Sequence, residues 1–180
     1  MKRPVLALVS LSIIAFAFVA AAKLEVIGKS EVRFQAVGPA GLKINGSAPS
    51  LTSKEDGESL VLTAPADRLE TGIGLRDRHL KKYINAEKHR EITFKVKKSS
   101  LKVPDDGKEV SSKAKGSLTL NGQTKPTSFA YKAKRTGSDI HVQGLGDLDI
   151  RNFGIEVPCY LGVCVDPIVK LKVGFKLRDK

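Results

Sequence analysis

Apolar and polar residues alternate along most of the chain with the two-residue period of strands that are dry on one face. From Glu31, the order Glu-Val-Arg-Phe-Gln-Ala puts Val32, Phe34 and Ala36 on one side. Leu42 with Ile44, Leu60 with Leu62, and Ile92, Phe94 and Val96 repeat the pattern, the last three opposite Thr93, Lys95 and Lys97. Leu118 and Leu120 end a run at Asn121-Gly122, a dipeptide that supplies the positive φ angles of a two-residue hairpin turn. Phe129, Tyr131 and Ala133 share a face of the returning strand, and Thr136 to Asp139 predicts a second hairpin before Ile140 and Val142. In the last run Val165, Pro167, Val169, Leu171, Val173, Phe175 and Leu177 alternate with Asp166, Ile168, Lys170, Lys172, Gly174 and Lys176. Lysines on one side and bulky apolar groups on the other predict a strand wet on one face, and Pro167 predicts an edge or bulge at its start.

One stretch departs from this period. Arg76 to Arg90 is dense in charge, with Leu80, Tyr83 and Ile84 at spacings of three and four, which predicts a short helix and loop over Leu75 to Lys88. Lys54 to Glu58 and Pro104 to Lys108 predict exposed turns, and Asn45-Gly46-Ser47 predicts a turn or a strand irregularity. No long Gly/Pro/Ser linker and no internal repeat divides the chain. Many short one-faced strands joined by hairpins predict an all-β fold, an antiparallel barrel or sandwich. A barrel of about eight strands either fills its interior with side chains or holds one small ligand, and periodicity serves both outcomes.

The first residues follow a different pattern. Lys2 and Arg3 precede a stretch from Pro4 to Ala22 in which 16 of 19 residues are apolar, ending in Ala20-Ala21-Ala22 before Lys23. This is the layout of a secretory signal peptide, with a transmembrane anchor as the alternative. The expectation is therefore a signal over residues 1–22, cleaved near Ala22, and one exported domain over 23–180, in the periplasm or secreted.

Export changes how composition is read. The 180-residue chain has 31 Lys+Arg against 19 Asp+Glu; without Lys2 and Arg3 the balance is 29 to 19, or +10. That charge invites a nucleic-acid reading. Lys95 and Lys97, Lys132 and Lys134, and Lys170, Lys172 and Lys176 alternate through strands, however, as on a solvated barrel exterior. Weak attraction to anionic membrane surfaces is the preferred expectation, without a nucleic-acid partner. Cys159 and Cys164 would meet an oxidising compartment, where a disulfide closing so small a loop contributes about 2 kcal/mol. Two unpaired thiols and a metal site are the alternatives, the latter disfavoured because a lone C-x4-C pair is a poor metal signature.

Three segments read together narrow the fold. Leu69-Glu70-Thr71-Gly72, Arg76-Asp77-Arg78-His79-Leu80, Ala86 and Ile92-Thr93-Phe94 resemble the central signature of the YceI-like, polyisoprenoid-binding family. Gly116 to Pro126 (Gly-Ser-Leu-Thr-Leu-Asn-Gly-Gln-Thr-Lys-Pro) is similar to that family's second signature, and Ile150-Arg151-Asn152-Phe153-Gly154-Ile155 to its third. The order and spacing agree from about Lys29 to Phe175. The resemblance implies a lipocalin-like antiparallel β-barrel with a helical insertion, exported to the periplasm, holding an isoprenoid or similar amphiphile in an apolar tunnel. Two features depart from the family pattern: an opening Leu24-Glu25-Val26 and Ser30 to Phe34 without the Tyr, Asp and His that many members carry there, and the Cys159 to Cys164 segment.

Strand parity then assigns an inward set: Phe34, Phe94, Val96, Leu118, Leu120, Phe129, Tyr131, Val169, Leu171, Val173 and Phe175, with Phe153 and Ile155 at one end. Tyr131 carries a hydroxyl for a ligand head group or, preferentially, for the barrel itself. No cofactor is required; the expected occupant is an isoprenoid lipid or an isoprenoid quinone. The competing expectation is a filled barrel, an interaction module of the cell envelope acting through its basic surface or the cysteine loop. Catalysis is not expected. Asp77, His79, Glu87 and His89 match no metal-ligand spacing, Asp77 reads as a helix-start or ion-pair residue, and no nucleophile elbow or phosphate loop is present. Oligomeric state has no signature in the sequence.

Overall fold

The alternating runs become long antiparallel strands wrapped around their apolar faces. The computed structural model describes residues 23–160 and 162–179, so the predicted export segment, residues 1–22, lies outside the described residues. In chain order the elements are β1 (Leu24–Val37), β2 (Lys43–Ala48), β3 (Thr52–Asp56), β4 (Ser59–Pro65), α1 (Gly74–Tyr83), β5 (Glu91–Lys97), β6 (Glu109–Leu120), β7 (Gln123–Thr136), β8 (Asp139–Asp149), β9 (Cys159–Tyr160), β10 (Val163–Cys164) and β11 (Ile168–Asp179). Nine strands form one curled sheet in the order β2-β1-β11-β8-β7-β6-β5-β4-β3. β9 and β10 stand apart as a hairpin whose two cysteines, Cys159 and Cys164, are joined by a disulfide.

Several local expectations shift. The sheet has nine strands where about eight were expected. β3 occupies Lys54 to Asp56, so the turn read over Lys54 to Glu58 shrinks to the residues around Gly57. The helix and loop expected over Leu75 to Lys88 divide at Tyr83, where the helix ends because Asn85 takes a left-handed φ of 52°. Asn45-Gly46-Ser47 is no turn: it lies in regular pairing with β1. Pro167 immediately precedes β11, where its missing N–H costs no ladder bond.

Register places Val142 opposite Phe175, Gly144 opposite Val173 and Gly146 opposite Leu171, so the apolar residues of β8 and β11 face one side together while Lys170, Lys172 and Lys176 face the other. At one end of the barrel, the helix end, lie α1, the Asn121-Gly122 turn, the β1–β2 turn and the connection from β8 to β11. At the other, the loop end, lie Leu24, the β3–β4 and β7–β8 turns and the segment between β5 and β6.

Closing this sheet depends on β1. Between the pairs Ile27–Lys176 and Glu31–Gly174, β1 has three residues, Gly28 to Ser30, where β11 has one, Phe175. The two extra residues form a bulge that bends the strand and, being even in number, leave its side-chain parity unchanged. Beyond the bulge β1 leaves β2 and faces β3, and side chains replace the backbone ladder there. Val26 N donates to Ser53 Oγ (2.7 Å), Leu51 N to Ser30 Oγ (2.6 Å) and Leu24 N to Glu55 Oε1 (3.0 Å). Lys98 Nζ also reaches Glu55 Oε1 at 3.1 Å. The Leu24 N–H and the Lys98 ammonium hold the Glu55 carboxyl below its ordinary range.

This seam yields a pH-dependent test. A carboxylate with a depressed folded pKa stabilises the fold above its unfolded pKa and loses that contribution as pH falls through the folded value. Glu55→Gln should lower stability by about 1 kcal/mol near neutral pH. The urea midpoints of wild type and variant should converge as the pH drops below the ordinary carboxylate range; a gap that persists in acid contradicts the role given to Glu55.

Candidate functional site

The inward faces leave two apolar compartments along the barrel axis. The one nearer the loop end, about 90 Å³, is lined by Leu24, Leu60, Val96, Ala133, Ile140, Val142, Phe175 and Leu177, and covered by Leu101 to Pro104. The one nearer the helix end, about 150 Å³, is lined by Val32, Leu51, Ala64, Leu69, Ile92, Leu118, Leu120, Leu148, Leu171 and Val173. Leu62, Phe94 and Phe129 border both. Phe94 and Phe129 meet edge to face with centroids 5.1 Å apart and planes at 70°, so the ring pair is the partition between the two spaces.

The partition exists because two wall positions lack side chains. A Cβ on Gly146 would collide with the Phe129 ring, and one on Gly116 would sit 2.9 Å from Phe94 Cζ and strike the Lys95 carbonyl. Each ring therefore lies against bare backbone. Gly46 does the same for Phe34, whose ring covers it.

Each compartment is closed at its outer end in a different way. At the helix end Leu69, Ile84, Ala86, Phe153 and Ile155 are buried together as an apolar plug, and Asn121 Nδ2 donates to the Phe153 carbonyl at 3.0 Å. At the loop end the segment after β5 is tied by polar bonds: Lys102 N donates to the Tyr131 hydroxyl (2.7 Å), which donates to Lys102 O (3.0 Å), and Arg135 Nε donates to Pro104 O (2.9 Å).

A groove of about 780 Å³ runs beside the helix end, lined by Arg33, Phe34, Gln35, Asn45, Glu70 to Gly72, Lys170 and Lys172. It shares Leu145 and Leu171 with the larger compartment. Across it, the Glu70 segment is fastened to the edge strand β2 by Ser47 N to Glu70 O (2.8 Å) and Glu70 N to Ser47 O (3.0 Å).

The residues singled out from the sequence are distributed as follows. Phe94 and Phe129 border both spaces; Val96, Tyr131 and Phe175 line the smaller, and Leu118, Leu120, Leu171 and Val173 the larger. Phe34 lines the groove instead. Phe153 and Ile155 belong to the plug and line neither compartment. Val169, half-buried opposite Leu148, lines neither. Parity reasoning missed Leu101 and Pro104, because they lie in a connection with no strand period; the apolar Leu101 and Val103 beside Pro104 were the available signal.

At the start of α1, Thr71, Arg76 and Asp77 form one hydrogen-bond network. Asp77 accepts from both the backbone N–H (2.6 Å) and the hydroxyl of Thr71, and Arg76 donates to the same hydroxyl (2.8 Å) and to Thr71 O (3.0 Å). The Thr71 bonds hold the Asp77 carboxyl below its ordinary range. His79 is exposed on α1, whereas the His89 ring packs over Gly122. Among the described residues no three His, Cys, Asp or Glu side chains gather as a metal site.

The glycine walls give an ordered prediction. In Gly146→Ala the atoms nearest the methyl all belong to the Phe129 ring, which has cavity beside it and can turn, whereas in Gly116→Ala the nearest is the Lys95 carbonyl oxygen of the backbone. Thermal unfolding should show Gly146→Ala losing about 1 kcal/mol and Gly116→Ala about 2–3 kcal/mol. Equal losses would mean that the ring has no room to move.

Comparison with known proteins places this architecture. A structure of a polyisoprenoid binding domain from Saccharophagus degradans superposes with a TM-score of 0.74 at 12% identity, covering 87% of this chain and 98% of that one. Burkholderia cenocepacia BcnA matches with a TM-score of 0.65 at 16% identity over 82% of this chain and 95% of its own, and a Campylobacter jejuni YceI protein with 0.55 at 18% over 100% and 99%. A curated UPF0312 protein of Vibrio cholerae is 32% identical over 107 residues, 55% of this chain, and the match spans about half of that relative (54%). The model of the YceI-like domain matches residues 19–177, nearly the whole described barrel, and the chain belongs to that family.

Proposed function

We propose that this protein is an exported lipid carrier that holds the isoprenoid tail of an amphiphile inside the barrel and leaves its head group at the groove. The observation that carries the reading is the pair of axial compartments, whose lining side chains are apolar apart from Lys102 and the Tyr131 hydroxyl, both at the loop end. The name of the Saccharophagus relative, a polyisoprenoid binding domain, points to the same ligand class.

Size and energy favour a tail that opens the partition. An apolar cavity of about 150 Å³ takes a benzene-sized guest. Each compartment therefore matches about one five-carbon unit, and a longer tail must turn Phe94 and Phe129 aside. Parting the rings costs about 0.5–1.5 kcal/mol beyond their buried area. Removing one five-carbon unit from water returns about 4 kcal/mol before binding costs. Threading through the partition is favourable on those magnitudes, and tunnel length sets the preferred tail. The basic groove, with Lys170 and Lys172 in none of the ion pairs among the described residues, suits a polar or anionic head group or a quinone ring.

The test is native mass spectrometry and lipid extraction on protein purified from the periplasm of its own host. A prenyl lipid recovered at about one per barrel supports carriage. Protein that emerges empty and takes up no prenyl lipid on reconstitution favours the alternative of a filled-barrel interaction module. Phe94→Ala, which joins the two compartments, should lower stability by about 3–5 kcal/mol in the empty protein and regain part of it with a prenyl tail bound. No gain in melting temperature on adding the lipid would contradict the tail's passage through the partition.

A further inference from the structure

We propose that the helix end of the barrel is a docking surface for an anionic lipid bilayer, with α1 lying on the membrane. The inference extends the carrier reading by giving the barrel a membrane-facing end.

Leu75, Arg78, His79, Lys82 and Tyr83 recur at intervals of three and four and so share one face of α1. That face is solvent-exposed: no residue of the helix is buried, Leu75 is 57% exposed, and Ile73, just before the helix, is 54% exposed. An isolated exposed leucine needs no explanation. Here the exposed apolar groups concentrate at one end. Of the eight large apolar side chains most exposed among the described residues, Leu42, Ile73, Leu75, Tyr83, Val163 and Ile168 lie at the helix end, and only Val103 and Leu145 lie elsewhere.

Charge selects the partner. α1 carries Arg76, Arg78, Lys81 and Lys82 against a single acid, Asp77, whose carboxylate is occupied by Thr71. Arg78 and Lys82, on the outer face, appear in none of the ion pairs among the described residues. Cations interleaved with protruding apolar side chains match a bilayer interface, where anionic phosphates lie directly above an apolar layer. On the sheet exterior, away from the helix end, the lysines have one such companion among the described residues, Leu145 opposite Lys172. Lys132 and Lys134 on β7 lie opposite Gln143 and His141, the first 4.0 Å from Glu109, and serve as an internal control with the same number of positive side chains.

The test is flotation with vesicles of phosphatidylcholine, with and without phosphatidylglycerol, and without isoprenoid. Loss of docking and loss of tail binding then register separately. Wild-type protein should float with the phosphatidylglycerol vesicles, less so as salt rises, and remain behind with phosphatidylcholine alone. Arg78→Gln with Lys82→Gln should weaken binding about thirtyfold, and Leu75→Ser about tenfold. Lys132→Gln with Lys134→Gln should change it by less than about threefold. An equal loss in the control pair, or no binding by the wild type, overturns the inference. The chain has no Trp, so Tyr83→Trp adds a unique probe whose emission should shift to the blue on phosphatidylglycerol vesicles; an unshifted spectrum with vesicles bound would place another surface on the membrane.

Discussion

The whole architecture depends on β1 satisfying two neighbours on the same side. Its second half pairs with β2, and its first half must reach β3 for the sheet to close. A straight strand cannot serve both. The bulge at Ile27 to Glu31 supplies the bend, and Ser30, Ser53 and Glu55 then bond the backbone N–H groups that the missing ladder leaves open. Without them, a buried edge would carry unpaired donors at about 1–3 kcal/mol each. The apolar interior follows from that closure, because the faces of β4, β5 and β11 come to surround one axis only when the ends of the sheet meet.

How much of this could be read from the sequence divides along physical lines. Strand parity is local, so the inward positions of Phe94, Leu118, Phe129, Val173 and Phe175 follow from alternation alone, and the hairpin at Asn121-Gly122 from turn chemistry. The seam is not local: Ser53 and Glu55 look like surface residues of a charged turn until β1 lies beside them. Gly116 and Gly146 are equally silent, since nothing in a strand's own period says that an aromatic ring from the next strand will lie on it. The plug escaped for another reason. Phe153 and Ile155 follow a strand's end, where the period stops and only tertiary packing decides between lining a cavity and closing it. Val169 has the correct parity and lies beyond the compartment's wall, so parity gives direction but not depth.

The two ends of the barrel differ in what opening them would cost. At the loop end, the strap over the smaller compartment is held by the paired Tyr131 and Lys102 bonds and the Arg135 to Pro104 bond, with Asp106 also accepting from Gly137 N. At the helix end, dismantling the plug would expose Phe153, Leu69 and Ile84, at about 1.5–3 kcal/mol for each side chain. Both routes cost several kcal/mol.

The side of the helix end is weaker than either. Among the described residues, two backbone hydrogen bonds, between Ser47 and Glu70, join edge strand β2 to the segment leading into α1. At about 1 kcal/mol net each, breaking them costs less than exposing the plug. Behind that junction the Phe34 ring rests on Gly46, and Leu171 and Leu145 lead on to the larger compartment. A tail of the proposed amphiphile leaving by this route would pass Leu171, Leu145 and Phe34 before the polar wall of the groove, where Lys170 and Lys172 would stand beside its head group. The same junction leads into Ile73 and α1, so an interface that drew α1 to a bilayer would pull directly on the two bonds that close the groove. Docking and opening would then be one mechanical event, located at the least costly exit from the barrel.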